Sequence, residues 1–450
     1  MRILLLATVF LLFHDVDNEM CRTSLHQDQR SWMSTKTGYR QLVSRLDDGD
    51  HDNNGEQCSP VHLWTIVRHG TRYPSKDAIL LMKEDLPRLR DMIVNSENSQ
   101  LCDTDMELLR NWSVEIETEW SKNLHVEGEK EMILLGERWL NRYPELLSQY
   151  EPSVYRLRST DTQRSLKSGE SFITGLWSRV AVSQATWHVS ASGHDPLIRF
   201  YKLCDKWVKD VKKNKVANRE RDQFEQSEAM LEVARTTSEL LGVEVTLREL
   251  DMMYVMCNFD LAWHPSQVSP WCRMFSDHDL KVMEYREDLE YYWIDGPGHN
   301  INSEPACVLI KDVLETFTNI SNGSLKLNGT FYFTHSGTIL KLLAHLNLFT
   351  DTEPLTSENF HKMEDRKWRT SKIGPFGANV AFVLQQCAES GFNVGLFVNE
   401  NLTLLPGCDS MWCPLSKFIE NFHNIENCDL EEICFKDDMS DSVEVPDDKY

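Results

Sequence analysis

Positive charge is scarce in this chain. Its 450 residues carry 47 Lys and Arg against 70 Asp and Glu, a formal net charge of −23. Nucleic-acid-binding proteins show the opposite sign, so that class of partner is set aside. An anionic small molecule is compatible with this charge only where Arg, Lys and His are concentrated locally. Long apolar runs are missing too. The stretch "MRILLLATVFLLFHDVDNEMC" has a basic residue followed by about eleven mostly apolar ones. That is the length of a signal-peptide core and too short to span a bilayer. No second apolar segment is long enough for a transmembrane helix. Low-complexity tracts and internal repeats are absent, which excludes solenoids and propellers. Neither H-E-x-x-H nor C-x-x-C occurs, so the common zinc frameworks have no ligands here. The acidic end, "SDSVEVPDDKY", carries no lipid-anchor or ER-retention signal.

What is present reads as globular: 41% hydrophobic and 26% charged residues. The length suits one large domain with an insertion, or two or three ordinary domains. Cysteine is plentiful, at twelve residues, and five N-x-S/T sequons occur at Asn111, Asn319, Asn322, Asn328 and Asn401. Three of the five fall in "NISNGSLKLNGT", which reads as an exposed, glycosylated loop. With the signal-like start, these features predict a disulfide-bonded protein, secreted or in the lumen of the secretory pathway. The expected organisation is a signal peptide over 1–18 and a polar segment over 19–57. An α/β part spans 58–190, an inserted helical domain 191–295, a second α/β part 296–425, and an acidic tail 426–450. Within the polar segment, Asp50, Asp52, Asn54 and Gly55 have EF-hand spacing. Val61 stands at the twelfth position and no helices flank it, so the stretch reads as a linker.

"VHLWTIVRHG" reads as a buried strand. Ser75 is a good N-cap for "KDAILLMKEDLPRLRDMI", a helix that Pro87 is expected to kink or end. "SVYRLRSTDTQRSLKSGESFITGLW" reads as strand, turn and helix. From Asp195 to Glu290 the pattern is almost all helical. "GTFYFTHSGTILKLLAHLNLF" repeats strand, histidine, helix, and "NVAFVLQQC" and "FNVGLFVNEN" are two further strands, expected to be adjacent. Strands alternating with helices predict an α/β fold: a mixed sheet flanked by helices, with the helical block inserted.

Ligands of open α/β sheets bind beyond the carboxyl ends of strands. Three such ends carry cations here: Arg68-His69-x-x-Arg72, Arg158 and His335. Guanidinium groups present forked donors that match phosphate oxygens and keep their charge. An imidazole among them can take a phosphoryl group on its ring nitrogen, with the cations stabilising the transferring oxygens. The spacing R-H-G-x-R-x-P has a chance expectation of about 10⁻⁴ in a chain of this length.

"VRHGTRYP" resembles the signature of the histidine phosphatases, in the acid phosphatase and phytase branch. "RSTDTQRSLKSGESF" is similar to that branch's second arginine motif. More narrowly, "STKTGYR", "CNFDLAWHPSQVSPWC", "EYREDLEYYWIDGPGHNINSEPAC", "EPLTSENF" and "PFGANVAFVLQQC" resemble the multiple inositol polyphosphate phosphatases, from about residue 34 to about 425. The resemblance implies a phosphohistidine at His69, with Arg68, Arg72, Arg158 and His335 on the phosphate. It implies a phosphorylated small-molecule substrate and no cofactor or metal. One departure matters. The family's proton donor is a carboxylic acid just after the second histidine, in the form Ala-Glu or Asp. This chain reads "THSGTIL", with Ser336 and Gly337 at those places. A phosphate-binding protein of impaired turnover, or a broad-specificity acid phosphatase, is therefore the alternative to an active inositol polyphosphate phosphatase.

Two softer signals remain. Six lysines lie between Lys202 and Lys215, either as a solvated face or as the rim of a polyanion site. Cys257 with Cys272, Cys408 with Cys413, and Cys428 with Cys434 are close enough for local bridges. Oligomeric state has no signature in the sequence.

Overall fold

The computed structural model describes residues 30, 32–43, 57–190 and 195–435. The signal-like start, the Asp50–Gly55 stretch and the end of the acidic tail lie outside them. Eight strands form one mixed sheet: β1 (Cys58–Arg68), β2 (Tyr155–Ser159), β3 (Trp187–Val189), β4 (Gly329–Thr334), β5 (Asn379–Cys387), β6 (Gly391–Val398), β7 (Asn401–Thr403) and β8 (Trp412–Pro414). Their order is β3-β2-β4-β1-β5-β6-β7, with β8 also on β6. The first four are parallel. β5 runs antiparallel to β1, and β6 antiparallel to β5 as a hairpin.

The helices used below are α1 (Lys76–Val94), α2 (Val126–Arg142), α3 (Gln163–Trp177), α4 (Glu228–Leu241), α5 (Leu247–Trp263), α6 (Asp277–Ile294), α7 (Cys307–Ser321) and α8 (Ser336–His345). β1 alternates between two cores, which is why it reads as an unbroken apolar run. Leu63 and Val67 join Phe331, Phe333 and Ala381, and the α2 and α3 residues Leu135, Trp139, Phe172 and Ile173 cover that face. Trp64 and Ile66 point the other way, towards Val313, Phe317, Ile339 and Leu343 of α7 and α8. This second core runs without a break into the helical block, through Met253, Leu280 and Met283. The helical block and the sheet are therefore packed as one body of apolar side chains.

Two local expectations are corrected. Pro87 does not end α1, which continues to Val94. Its buried row of Ile79, Met82, Leu86, Leu89 and Ile93 outweighs the single hydrogen bond that proline removes. Cys428 and Cys434 do not pair with each other. Cys428 bonds Cys307 and Cys434 bonds Cys204, so each ties the C-terminal segment to a different part of the core. The Cys257–Cys272 and Cys408–Cys413 bridges form as expected, and Cys58–Cys387 joins β1 to β5. Among the described residues no helix is long and apolar enough to cross a membrane.

Candidate active site

β1 and β4 are parallel neighbours in a register that sets Arg68 opposite Thr334. The next residue of each strand is a histidine, so His69 and His335 emerge side by side, with ring centroids 5.6 Å apart. The turn after β1 is held from behind. Gly70 donates its N–H to Ser168 Oγ on α3, and Thr71 donates both N–H and hydroxyl to the buried Glu131 of α2. A Cβ on Gly70 would lie 2.6 Å from the Gly128 carbonyl oxygen. Only glycine permits this approach of the loop to the start of α2.

His69 places Nδ1 2.9 Å from the carbonyl oxygen of Gly70. A carbonyl only accepts, so Nδ1 carries the proton and Nε2 keeps its lone pair. His335 has Thr160 Oγ1 3.1 Å from Nε2 and Arg164 NH2 3.4 Å from Nδ1. A guanidinium only donates, so Nδ1 accepts and Nε2 donates to Thr160. Both imidazoles are held neutral. Their pKa values lie well below 6.5, first because they are buried and then because of surrounding arginines, with Arg164 foremost.

The arginines have different supports. Arg68 donates to the carbonyls of Thr35 (2.5 Å) and Gly374 (2.6 Å), and its guanidinium lies 4.5 Å over the Phe376 ring. Both carbonyls are anchored through buried charge. Ser34 meets Thr370, whose hydroxyl and N–H reach Asp288 of α6, and Lys36 pairs with Glu287. Arg72 donates to the Tyr73 carbonyl. Arg164 sits in the first turn of α3. Burial and like charge lower the pKa of Arg68 to about 9 and that of Arg164 to about 10. Arg68 Nε and Arg164 Nε are buried with no acceptor among the described residues. Arginines gathered around two neutral imidazoles, two of them with an Nε–H that lacks an acceptor, are suited to a phosphoryl group. Among the described residues, no group of three or more His, Cys, Asp or Glu side chains is placed to hold a metal ion.

Arg158 is not in this group. It makes a bidentate pair with Asp195 at 2.8 and 2.9 Å. Strand alternation explains it: Arg156 and Arg158 leave the same face of β2 before its carboxyl end, and each meets an acid, Asp312 and Asp195. Asp195 also accepts the N–H groups of Leu197 and Ile198, and Ile198 O accepts the hydroxyls of Thr334 and Thr338. Arg158 thus braces the turn leading to Arg199, one of the charges that depress His335. Arg164 was the readable alternative, six residues on at a helix start. Arg199, inside the helical stretch, carried no sequence signal. Of the lysine-rich run, Lys202 lies over Tyr201 and Trp207, and its pKa falls to about 7 through burial and the nearby Lys212 and Arg199. That end of the run borders the site.

Fold and site together define an α/β protein with two histidines among arginines at the carboxyl ends of neighbouring strands, an arrangement suited to a phosphoryl group. Residues 61–399 match the histidine phosphatase superfamily (branch 2). The chain belongs to that family. It is 30% identical to the multiple inositol polyphosphate phosphatase 1 of Drosophila melanogaster, over 96% of this chain and 93% of that one. In fold it resembles the phytase from D. castellii (TM-score 0.73, 14% identity, 94% of this chain and 92% of that one). It also resembles the Bifidobacterium longum multiple inositol polyphosphate phosphatase in complex with inositol hexasulfate (TM-score 0.63, 16% identity, 86% and 96%).

Proposed function

We propose that this chain hydrolyses phosphomonoesters of inositol polyphosphates, or of closely related polyphosphorylated metabolites, through a phosphohistidine at His69. The observation that carries the reading is the Nδ1 bond to Gly70, which aims an unprotonated Nε2 into a ring of arginines. Nε2 attacks phosphorus as the ester oxygen leaves. Arg68, Arg72 and Arg164 neutralise the equatorial oxygens, and His335, which accepts from Arg164 and donates to Thr160, holds that guanidinium beside them. Water then releases phosphate from His69. Lys202 and Lys212 supply positive charge for the substrate's other phosphates. The relatives named for inositol polyphosphates support this substrate class. Residues 191–295 serve as an inserted helical domain between α/β parts 58–190 and 296–425. Five disulfides between described residues support synthesis in the secretory pathway.

The test is phosphate release from inositol hexakisphosphate by protein purified from a secretory host. His69→Ala should abolish it with an unchanged circular dichroism spectrum. Retention of more than a few per cent of activity sinks the assignment. The rival reading, a binding protein without turnover, rests on the missing acid at Ser336–Gly337. It prevails if the wild type binds inositol hexakisphosphate and releases no phosphate from any ester.

A further inference from the structure

An alkoxide leaves phosphorus poorly unless it is protonated, and general acid help is worth about 10²–10⁴-fold. The carboxylates behind the site are committed elsewhere. Glu131 accepts from Thr71 and from the N–H of Tyr39, and Asp195 is held by Arg158. Asp295 is also paired, with Lys341, but it stands against the start of α8. It caps the end of α6, and a Cβ built on Gly337 would lie 3.2 Å from its Oδ1. The carboxylate therefore occupies space that a side chain two residues past His335 would otherwise fill. Tyr201 shares that space, its hydroxyl 3.3 Å from the same point. Gly337 lies inside α8 and is not among the residues of positive φ, so the backbone does not demand glycine there. What the absent side chain provides is room.

Asp295 Oδ1 lies 3.2 Å from Lys341 Nζ, which sits about one turn further along α8 with its side chain wholly buried. The ammonium also donates to the Ile294 carbonyl at 2.9 Å and lies 4.3 Å from the Trp207 ring centroid. The charged or titratable groups around this pair are Tyr201, Arg199, Lys202, Lys212 and His299. Burial lowers the Lys341 pKa to about 8 in spite of Asp295.

We infer that Asp295 is the proton donor to the leaving oxygen, reaching from the end of α6 into the room beside the start of α8 that Gly337 leaves open, with Lys341 as the partner that holds it and supplies its proton. The inference rests on the phosphohistidine reading and deepens it. The proton of the pair starts on Lys341, as an ammonium beside the Asp295 carboxylate. As the His69 Nε2–P bond forms and the ester P–O bond breaks, that proton passes through Asp295 to the alkoxide. A carboxylate and a neutral amine remain. In the second half, the attacking water gives a proton to Asp295, its oxygen bonds phosphorus, the P–N bond breaks and phosphate departs. From Asp295 the proton returns to the amine, and the Lys341 ammonium is restored.

The experiment compares inositol hexakisphosphate, an alkyl ester, with p-nitrophenyl phosphate, whose leaving group needs little protonation. The wild type should cleave both. Asp295→Asn should lower the alkyl-to-aryl ratio of kcat/KM by about 10²–10⁴-fold. Both rates come from one preparation, so a loss of folded protein cancels. If that variant does not fold, the double variant Asp295→Asn, Lys341→Met removes both buried charges and is read in the same ratio. Lys341→Met should move the alkaline limb of inositol hexakisphosphate turnover down from near pH 8. Equal losses on both esters, or a fall in the ratio on changing the exposed Asp161 instead, overturn the inference. So does a wild type that cleaves only the aryl ester. A wild type inactive on both esters is a different failure, that of the phosphohistidine reading, and the inference falls with it.

Discussion

Exchanging the two arginines that compete for the phosphate role separates stability from turnover. In Arg158→Met, Asp195 loses its bidentate partner while its side chain stays 1% exposed. Stranding one member of a buried pair costs about 3–5 kcal/mol. The lower end applies, because the N–H groups of Leu197 and Ile198 and the Ser190 hydroxyl still reach the carboxylate at 2.9 Å. With an unfolding entropy of about 2.1 cal/mol/K per residue and roughly 400 folded residues, 3 kcal/mol lowers Tm by about 4 °C. Turnover per folded molecule should fall less than about tenfold, through the loosened turn before Arg199. Arg164→Met acts the opposite way. It removes the donor to His335 Nδ1 and a guanidinium aimed at the transferring oxygens, a loss of about 10²–10³ in kcat. Tm should hold or rise, because Arg164 and Arg72 repel each other in the ligand-free protein. Melting curves and p-nitrophenyl phosphate kinetics on the same preparations decide. A hundredfold loss of turnover in Arg158→Met at unchanged Tm, with Arg164→Met active, would refute the assignment.

Further tests follow from the same geometry. His69 and His335 have folded pKa values below the ordinary 6.5, so below pH 6.5 the folded state binds fewer protons than the unfolded. Ligand-free stability should decline as pH falls from 6.5. Phosphate raises both pKa values, so the Tm gain from added phosphate should be larger at pH 5 than at pH 7; an equal gain at both contradicts the neutral-histidine assignment. Glycan mapping of protein secreted from a eukaryotic host should find Asn111, Asn319, Asn322 and Asn401 modified, all exposed. Asn328 should stay bare, being half-buried with its amide on the Leu146 carbonyl. Non-reduced peptide mapping should recover Cys307–Cys428 and Cys204–Cys434. A Cys428–Cys434 peptide would contradict the fold of the C-terminal segment.

The sequence by itself determined the α/β alternation, the two histidines at strand ends and the helical character of the block before β4. Each is a local pattern with a local physical cause. β1, β4 and the β5–β6 hairpin are apolar because both faces of the sheet are covered, and an apolar run that stops at Arg68-His69 or Thr334-His335 marks its own end. Tertiary structure alone decided what alternation and spacing leave open. Arg156 and Arg158 share a strand face, yet only packing puts Asp312 and Asp195 opposite them and leaves Arg164 for the site. Cys428 and Cys434 sit six residues apart, but their partners arrive from distant parts of the chain. The acid inferred to stand in for the one absent from Ser336–Gly337, Asp295, lies at the end of another helix. A proton donor is specified by where its oxygen stands, and contacts between residues far apart in the chain leave no spacing to read.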